Sequence, residues 1–229
     1  MLDYVTDNLP LGEKAYRTIK ADVIFGRLTP GQRLTLDRMK EAYGTSVSTL
    51  REIFSRLSAE GFVVAEGSRG FQVMPISETN LREVAAMRQL LERHALRESF
   101  EAGDIEWEAH VVAAHHRLDS MERRIAGGMP ADMELWKRYD RAFHHALISA
   151  CGSRVLLETH ATVYDKYLRY QMIGAAFRGD ATAGEHRRLL ECALARDWQS
   201  AQTTLVTHVQ DCVKDMLAGK LKEIGQSAQ

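Results

Sequence analysis

Pro75 separates two textures in this 229-residue chain. Downstream of it, apolar residues recur every three or four positions through 77–102, 104–126, 131–151, 153–177, 181–196 and 197–218, with breaks at Gly103, Gly127-Gly128, Gly152 and Gly179. No strand signal interrupts that helical period, and no internal repeat or low-complexity run appears; 220–229 reads as a frayed tail. Amphipathic helices without a sheet bury their apolar stripes against one another, so 77–229 is predicted to be an all-helical bundle.

Upstream of Pro75 the periods mix. Ala15, Tyr16, Ile19, Val23 and Ile24 are spaced as one face of a helix closed by Gly26, and Leu28-Thr29-Pro30-Gly31 is a turn. A short helix follows from about Thr35 to Tyr43 and stops at Gly44. Ser46 and Ser48 both suit the N-cap of a third helix, which carries Leu50, Ile53, Phe54 and Leu57 and ends at Gly61. Phe62-Val63-Val64 and Phe71-Gln72-Val73, joined by Gly67-Ser68-Arg69-Gly70, read as a hairpin. Three helices and a hairpin make a winged helix-turn-helix, predicted over 1–76. The fold class expected is mainly α.

Composition excludes several classes. Hydrophobic residues are 45% and charged residues 27%, as in ordinary globular proteins. No stretch approaches the ~20 apolar residues of a membrane span, and Met1–Pro10 lacks the apolar core of a signal peptide, so the expected location is the cytoplasm. Cys151, Cys192 and Cys212 lie far apart and read as reduced, buried thiols. Net charge is −1, with 10 Lys/Arg against 9 Asp/Glu in 1–76 and 20 against 22 in 77–229. Bulk charge therefore gives no argument for a nucleic-acid partner, and any such argument rests on local pattern.

That pattern lies in Thr45-Ser46-Val47-Ser48-Thr49-Leu50-Arg51. The second helix of a helix-turn-helix enters the major groove by its N-terminal turn, where short polar side chains meet bases and phosphates. Arg51 sits one turn in, placed to grip a phosphate or a guanine edge, and Arg69 stands at the wing tip. The plainer reading is that Ser46, Ser48 and Thr49 only cap a helix and Arg51 is a solvated charge. The combination is more specific than its parts. Leu28-x-Pro30-Gly31-x-x-Leu34, Leu50-Arg51-Glu52-Ile53-x-x-Arg56-Leu57-x-x-Glu60-Gly61 and Arg69-Gly70-x-x-Val73 resemble the GntR-family winged helix along its length. The resemblance implies a regulator, a repressor in this reading, that binds double-stranded operator DNA as a homodimer. It places Ser46, Ser48, Thr49, Arg51, Arg69 and Gly70 at the DNA. Members usually carry Arg and Pro where this chain has Val47 and Thr49, which removes a contact and points to an unusual operator; Arg38 is positioned to compensate in part.

In 77–229 the polar residues on apolar stripes stand out. Asp140 and His144, four apart, share a face with Trp136, Phe143 and Leu147; His186 shares one with Leu189, Leu190 and Ala193; His208 sits among Leu205, Val209 and Cys212. Buried polar groups need partners, and one carboxylate with three imidazoles suits a divalent transition metal such as Zn, Ni or Mn. Each histidine taken singly is as readily a satisfied core residue. Asp140-x-x-Phe143-His144-x-x-Leu147, Glu185-His186-x-x-Leu189 and His208 further resemble the metal-site pattern of the FadR-type, FCD ligand domain. That resemblance implies six or seven helices around a metal ion, with a small carboxylate effector bound beside it. Glu106-Trp107-Glu108-Ala109, Ala150-Cys151-Gly152-Ser153 and Leu194-Ala195-Arg196-Asp197 resemble the branch of carbon-starvation regulators. Arg88 lies on the stripe Leu81, Val84, Leu91, Ala95 and needs an anion, either an internal carboxylate such as Asp140 or Glu92 or the effector itself. His94, His110, His115, His116, His145 and His160 are expected to be surface or packing residues. The rival readings are a metal-dependent hydrolase and a regulator whose signal is the metal alone.

Overall fold

The computed structural model describes residues 9–67, 70–174 and 178–219, and the chain divides into two compact units between Glu78 and Thr79. The first unit contains α1 (Leu11–Ile24), β1 (Arg33–Leu34), α2 (Leu36–Tyr43), α3 (Val47–Ala59), β2 (Val63–Ala65) and β3 (Phe71–Val73). Ile19, Val23, Leu34, Leu50, Phe54, Leu57, Phe62 and Val73 form its core, each no more than 2% exposed. Gly44 ends α2 in the left-handed region (φ 60°), which a side chain would resist, and Ser46 then caps α3 by accepting from the Thr49 amide at 3.2 Å. Together these set the turn between the two motif helices.

The hairpin is joined by a strand that periodicity did not announce. β3 pairs antiparallel with β2 and also with β1, giving the order β1-β3-β2. Two residues are too short to show a period of two; Arg33–Leu34 becomes a strand because the Val73 amide donates to Gln32 O at 2.9 Å and the Gly31 amide donates to Val73 O at 3.0 Å. Phe71 packs its ring against Phe54 at 5.0 Å, tying the wing to α3.

The second unit is a bundle of six helices among the described residues: α4 (Glu78–Ala102), α5 (Ile105–Ala126), α6 (Met133–Ile148), α7 (Arg154–Gly174), α8 (Asp180–Leu194) and α9 (Trp198–Ala218). Asp104, Asp132 and Asp197 cap α5, α6 and α9 by accepting from first-turn amides at 2.9–3.1 Å. α6 ends at Ile148, three residues before the expected Cys151, because the chain turns through Gly152 at φ 71°.

The α4–α5 corner shows how the glycine breaks work. Trp107 is buried against Phe100, donates its indole N–H to Ala146 O at 2.9 Å, and carries the Arg196 guanidinium 4.6 Å from its ring. A Cβ on Gly103 would sit 2.4 Å from the Trp107 ring and 2.8 Å from Ser99 O, whereas one on Gly184, inside α8, would meet nothing within 4 Å. Opposite signs follow. Gly103→Ala is expected to cost about 1–3 kcal/mol, as overpacking does. Gly184→Ala is expected to add about 0.5–1 kcal/mol by restricting the unfolded chain. Thermal melts of the two variants test the pair; equal shifts would refute this account of the corner.

Candidate nucleic-acid interface and candidate metal centre

The N-terminal turn of α3 carries a small hydroxyl cluster. Ser46 Oγ lies 2.8 Å from Ser48 Oγ and 2.9 Å from Thr49 Oγ1. Ser46 and Ser48 are exposed and Thr49 half-buried, so both the cap and an outward-facing polar surface are present. Charge is distributed unevenly around them. Arg17, Lys20, Arg27, Arg33 and Arg56 are each paired with a carboxylate. Arg56, although on α3, is further held by stacking on Tyr16 at 3.7 Å. Arg38, Lys40 and Arg51 are exposed, and their side chains make no hydrogen bond or ion pair with another described residue. Among the described residues, a near-neutral unit thereby leaves three cations exposed without an ion-pair partner, Arg38 and Lys40 on α2 and Arg51 on α3, a distribution suited to a polyanion. Lys40 was not singled out from the sequence; only the pairing of its neighbours distinguishes it. Arg69 lies outside the described residues, and Gly70 holds a left-handed φ of 92° after the wing turn.

In the bundle, α6 supplies Asp140 and His144, α8 supplies His186, and α9 supplies His208. One ligand-type atom from each lies within 4.8 Å of all the others, and all four side chains are buried. Each imidazole has its Nδ1 turned to a glutamate: His186 to Glu122 at 2.8 Å, His208 to Glu185 at 2.7 Å, and His144 toward Glu92 at 3.4 Å. Asp140 Oδ2 accepts from the Tyr164 hydroxyl at 2.9 Å and lies 3.6 Å from Lys137 Nζ. What remains faces inward. Asp140 Oδ1, His144 Nε2 and His186 Nε2 are buried without a hydrogen-bond partner, although the last lies 3.2 Å from Asp140 Oδ1. Leaving such atoms unsatisfied costs about 1–3 kcal/mol each. A divalent cation would satisfy them together, so the donor set fits a metal.

The electrostatics divide the three histidines. Burial, helped by the Arg88 charge, lowers His144, and burial takes His208 down to about 3, so both are neutral and ready as donors. His186 behaves oppositely: against the effect of burial, contacts with Asp140 and Glu122 lift it to about 9. Asp140 stays ionised because Lys137 and the two imidazoles outweigh its desolvation.

Arg88 is fully buried and bonded to Glu92, Nε to Oε1 at 2.7 Å and Nη2 to Oε2 at 3.5 Å. The rings of Tyr164 and Tyr167 lie 4.4 and 4.6 Å from its guanidinium carbon, and Nη1 has no partner. Of the two internal carboxylates anticipated for it, Glu92 is the one it meets. Two of the histidines expected to be surface or packing residues lie in the interior, His115 as packing and His160 within the polar network. His115 is buried beside Phe143, and His160 is buried with Nε2 2.8 Å from Glu92 Oε1. Glu122 and Tyr164 were also missed. Both signals were in the sequence: Glu122 continues the stripe Val111, Ala114, Leu118, and His160 and Tyr164 begin the stripe that runs on to Tyr167 and Gln171.

Residues 11–73 match the model for bacterial regulatory proteins of the gntR family, and residues 83–211 match the FCD domain. The chain belongs to the GntR family. A GntR-type relationship extends over nearly the full length of its relatives. The HTH-type transcriptional regulator BphR of Paraburkholderia xenovorans is 36% identical over 203 residues, spanning 88% of this chain and 83% of that protein. The HTH-type transcriptional repressor GlaR of Escherichia coli is 30% identical over 200 residues, spanning 85% and 90%. These relatives are named as transcriptional regulators, not enzymes. Among solved structures, E. coli McbR/YncC superposes with a TM-score of 0.72 at 20% identity, covering 96% of this chain and all of that one. A metal-free FCD domain, that of TM0439, matches with a TM-score of 0.52 at 19% identity, over 62% of this chain and 95% of that one. Both support the fold of this GntR-family protein.

Two outcomes follow. Arg51→Ala is expected to weaken operator binding by about 1–3 kcal/mol, and to flatten its salt dependence if the contact is to phosphate, while the melting midpoint stays unchanged. An unaltered gel shift would remove Arg51 from the interface. The metal-free protein is expected to be most stable near the ordinary histidine value of 6.5. Below it, the unfolded chain takes protons that buried, neutral His144 and His208 refuse, so stability falls as pH falls. Above it, the stabilisation from protonated His186 is lost as pH rises toward about 9. Melting midpoints in chelator across that range test this; a midpoint that climbs steadily to pH ~9 would show His186 to be neutral.

Proposed function

We propose that this GntR-family protein is a ligand-responsive transcription regulator, a repressor by analogy with the name of its relative GlaR, that works in the cytoplasm. In this reading it acts as a homodimer, presenting two winged helices to the half-sites of a two-fold symmetric operator. Contacts fall to Arg38, Ser46, Ser48, Thr49, Arg51 and the wing at Arg69-Gly70. The bundle holds a divalent metal, Zn, Ni or Mn, through Asp140, His144, His186 and His208, and receives a small carboxylate at Arg88.

The observation that carries this reading is the shared orientation of the three imidazoles. A buried glutamate-held Nδ1 fixes the tautomer and aims Nε2 at the centre, which is how ligating histidines are oriented. Metal binding here requires His186 to give up its proton, because its Nε2 must be a free donor. When bound, the ion supplies a cationic centre to which a carboxylate oxygen can add. Arg88 offers that carboxylate one unbonded edge, Nη1, on a guanidinium already neutralised by Glu92 and clamped by two tyrosine rings. A rigid donor whose charge is already countered by Glu92 selects shape more than charge, which favours small acids over large ones.

His186→Ala is expected to lower metal content and to abolish the effect of small carboxylates on operator binding, while binding itself survives in the separate winged-helix unit. Elemental analysis of the purified variant and operator titrations with a panel of hydroxy acids and dicarboxylates check both halves. A variant that keeps a full equivalent of metal would show these histidines to be packing residues. An operator affinity that follows metal alone, with no carboxylate effect in the parent, would make the ion the signal.

A further inference from the structure

The three glutamates behind the imidazoles are not equivalent. Glu92 and Glu122 are buried to 1–2% exposure, whereas the Glu185 side chain is 17% exposed. Glu185 is also the one whose hold on its histidine is shared with a side chain outside the core. Its Oε2 lies 2.7 Å from His208 Nδ1 and 2.7 Å from Arg178 Nη2, and its Oε1 accepts from Arg178 Nη1 at 3.3 Å. The fork is bidentate, which fixes the plane of the carboxylate as well as its position. Arg178 precedes α8 and reaches across to α9, where its Nε lies 3.3 Å from Asp215 Oδ2. His208 and Asp215 are both on α9, so Arg178 grips one helix twice, once directly and once through Glu185.

A partly exposed glutamate left alone has rotamers open to it that face water. Held on two oxygens by Arg178, it keeps Oε2 on the imidazole. Contacts to the two neighbouring glutamates come from within the bundle: Arg88 and His160 for Glu92, and His186 for Glu122. We infer that Arg178 is a positioning residue of the metal centre: by clamping Glu185 it fixes the orientation of the His208 imidazole, and so sets the affinity of the His208 corner of the site from the surface of the bundle. This rests on the reading of the four-residue cluster as a metal site. It adds a residue that touches neither the ion nor any of its ligands. The consequence is a link between the chain entering α8 and the occupancy of the core, because whatever draws Arg178 away from Glu185 loosens His208.

Titration of the full-length protein with Co²⁺, followed by its visible absorption, reports both affinity and coordination. Arg178→Ala is expected to weaken Co²⁺ binding on the order of tenfold or more, as loss of an outer partner of a metal-bound histidine does, and to change the band shape. Arg178→Lys keeps a charge but only a single point of contact, and is expected to recover part of the affinity. Glu185→Gln, which keeps size but loses the anionic acceptor, should match Arg178→Ala. Asp215→Ala separates the two grips of Arg178 and should leave the spectrum near that of the parent. The inference is overturned if Arg178→Ala binds Co²⁺ with the parent's affinity and spectrum, or if Arg178→Lys is no better than Arg178→Ala. A parent protein that takes up no Co²⁺ would instead overturn the metal reading beneath it. Should Arg178→Ala not fold, the comparison of Arg178→Lys and Glu185→Gln with the parent decides the matter by the same criteria.

Discussion

Carboxylate–imidazole contact is what allows the core of the bundle to be polar. Three histidines and an aspartate brought together in a dry interior would each demand a partner, and desolvating them unpaired would cost more than the surrounding apolar packing returns. Glu92, Glu122 and Glu185 meet that demand from outside the ring of imidazoles. They cancel charge where it can be cancelled and leave one face of each ring unspent. Arg88, buried without access to water, is possible for the same reason: Glu92 neutralises it. The bundle is therefore organised in two layers, an outer one of carboxylates that meet the Nδ1 atoms and an inner one whose Asp140 Oδ1, His144 Nε2 and His186 Nε2 are buried without a hydrogen-bond partner.

The winged-helix unit manages charge in a complementary way. Pairing removes five of its cations from the electrostatic field and leaves Arg38, Lys40 and Arg51 bare among the described residues. A net charge of −1 for the whole chain conceals this. Local neutralisation, rather than a basic composition, is what produces a surface suited to DNA. The restraint also limits sequence-independent attachment, since fewer phosphates are neutralised and fewer counterions released.

Much of the architecture was readable in advance because it depends on period and punctuation. Glycines at Gly44, Gly103, Gly152 and Gly179 end or begin helices where the apolar stripes stop, and Ser46 caps α3 as its side chain permits. β1 escaped because its pairing is decided by distant amides rather than by its own two residues. The inner quartet of the candidate site could be read because its members sit on otherwise apolar stripes. Its outer partners were harder: Glu122 and Tyr164 obey the same stripe rule, but Glu185 is half-buried and Arg178 lies off any helix, so only three-dimensional proximity connects them. Nothing in periodicity says which of thirty-one acids faces which histidine.

Every helix of the bundle gives at least one side chain to the polar centre: Glu92 from α4, Glu122 from α5, Asp140 and His144 from α6, Tyr164 from α7, Glu185 and His186 from α8, and His208 from α9. The centre cannot exist in a half-assembled chain, since its parts are separated by more than a hundred residues of sequence and close only after the whole topology is in place. Interactions formed that late are absent from the folding transition state. An occupant of the centre would therefore do little to hasten folding and much to delay unfolding. Occupancy would be written into the lifetime of the folded bundle, and with it into how long the regulator persists before a protease finds it open.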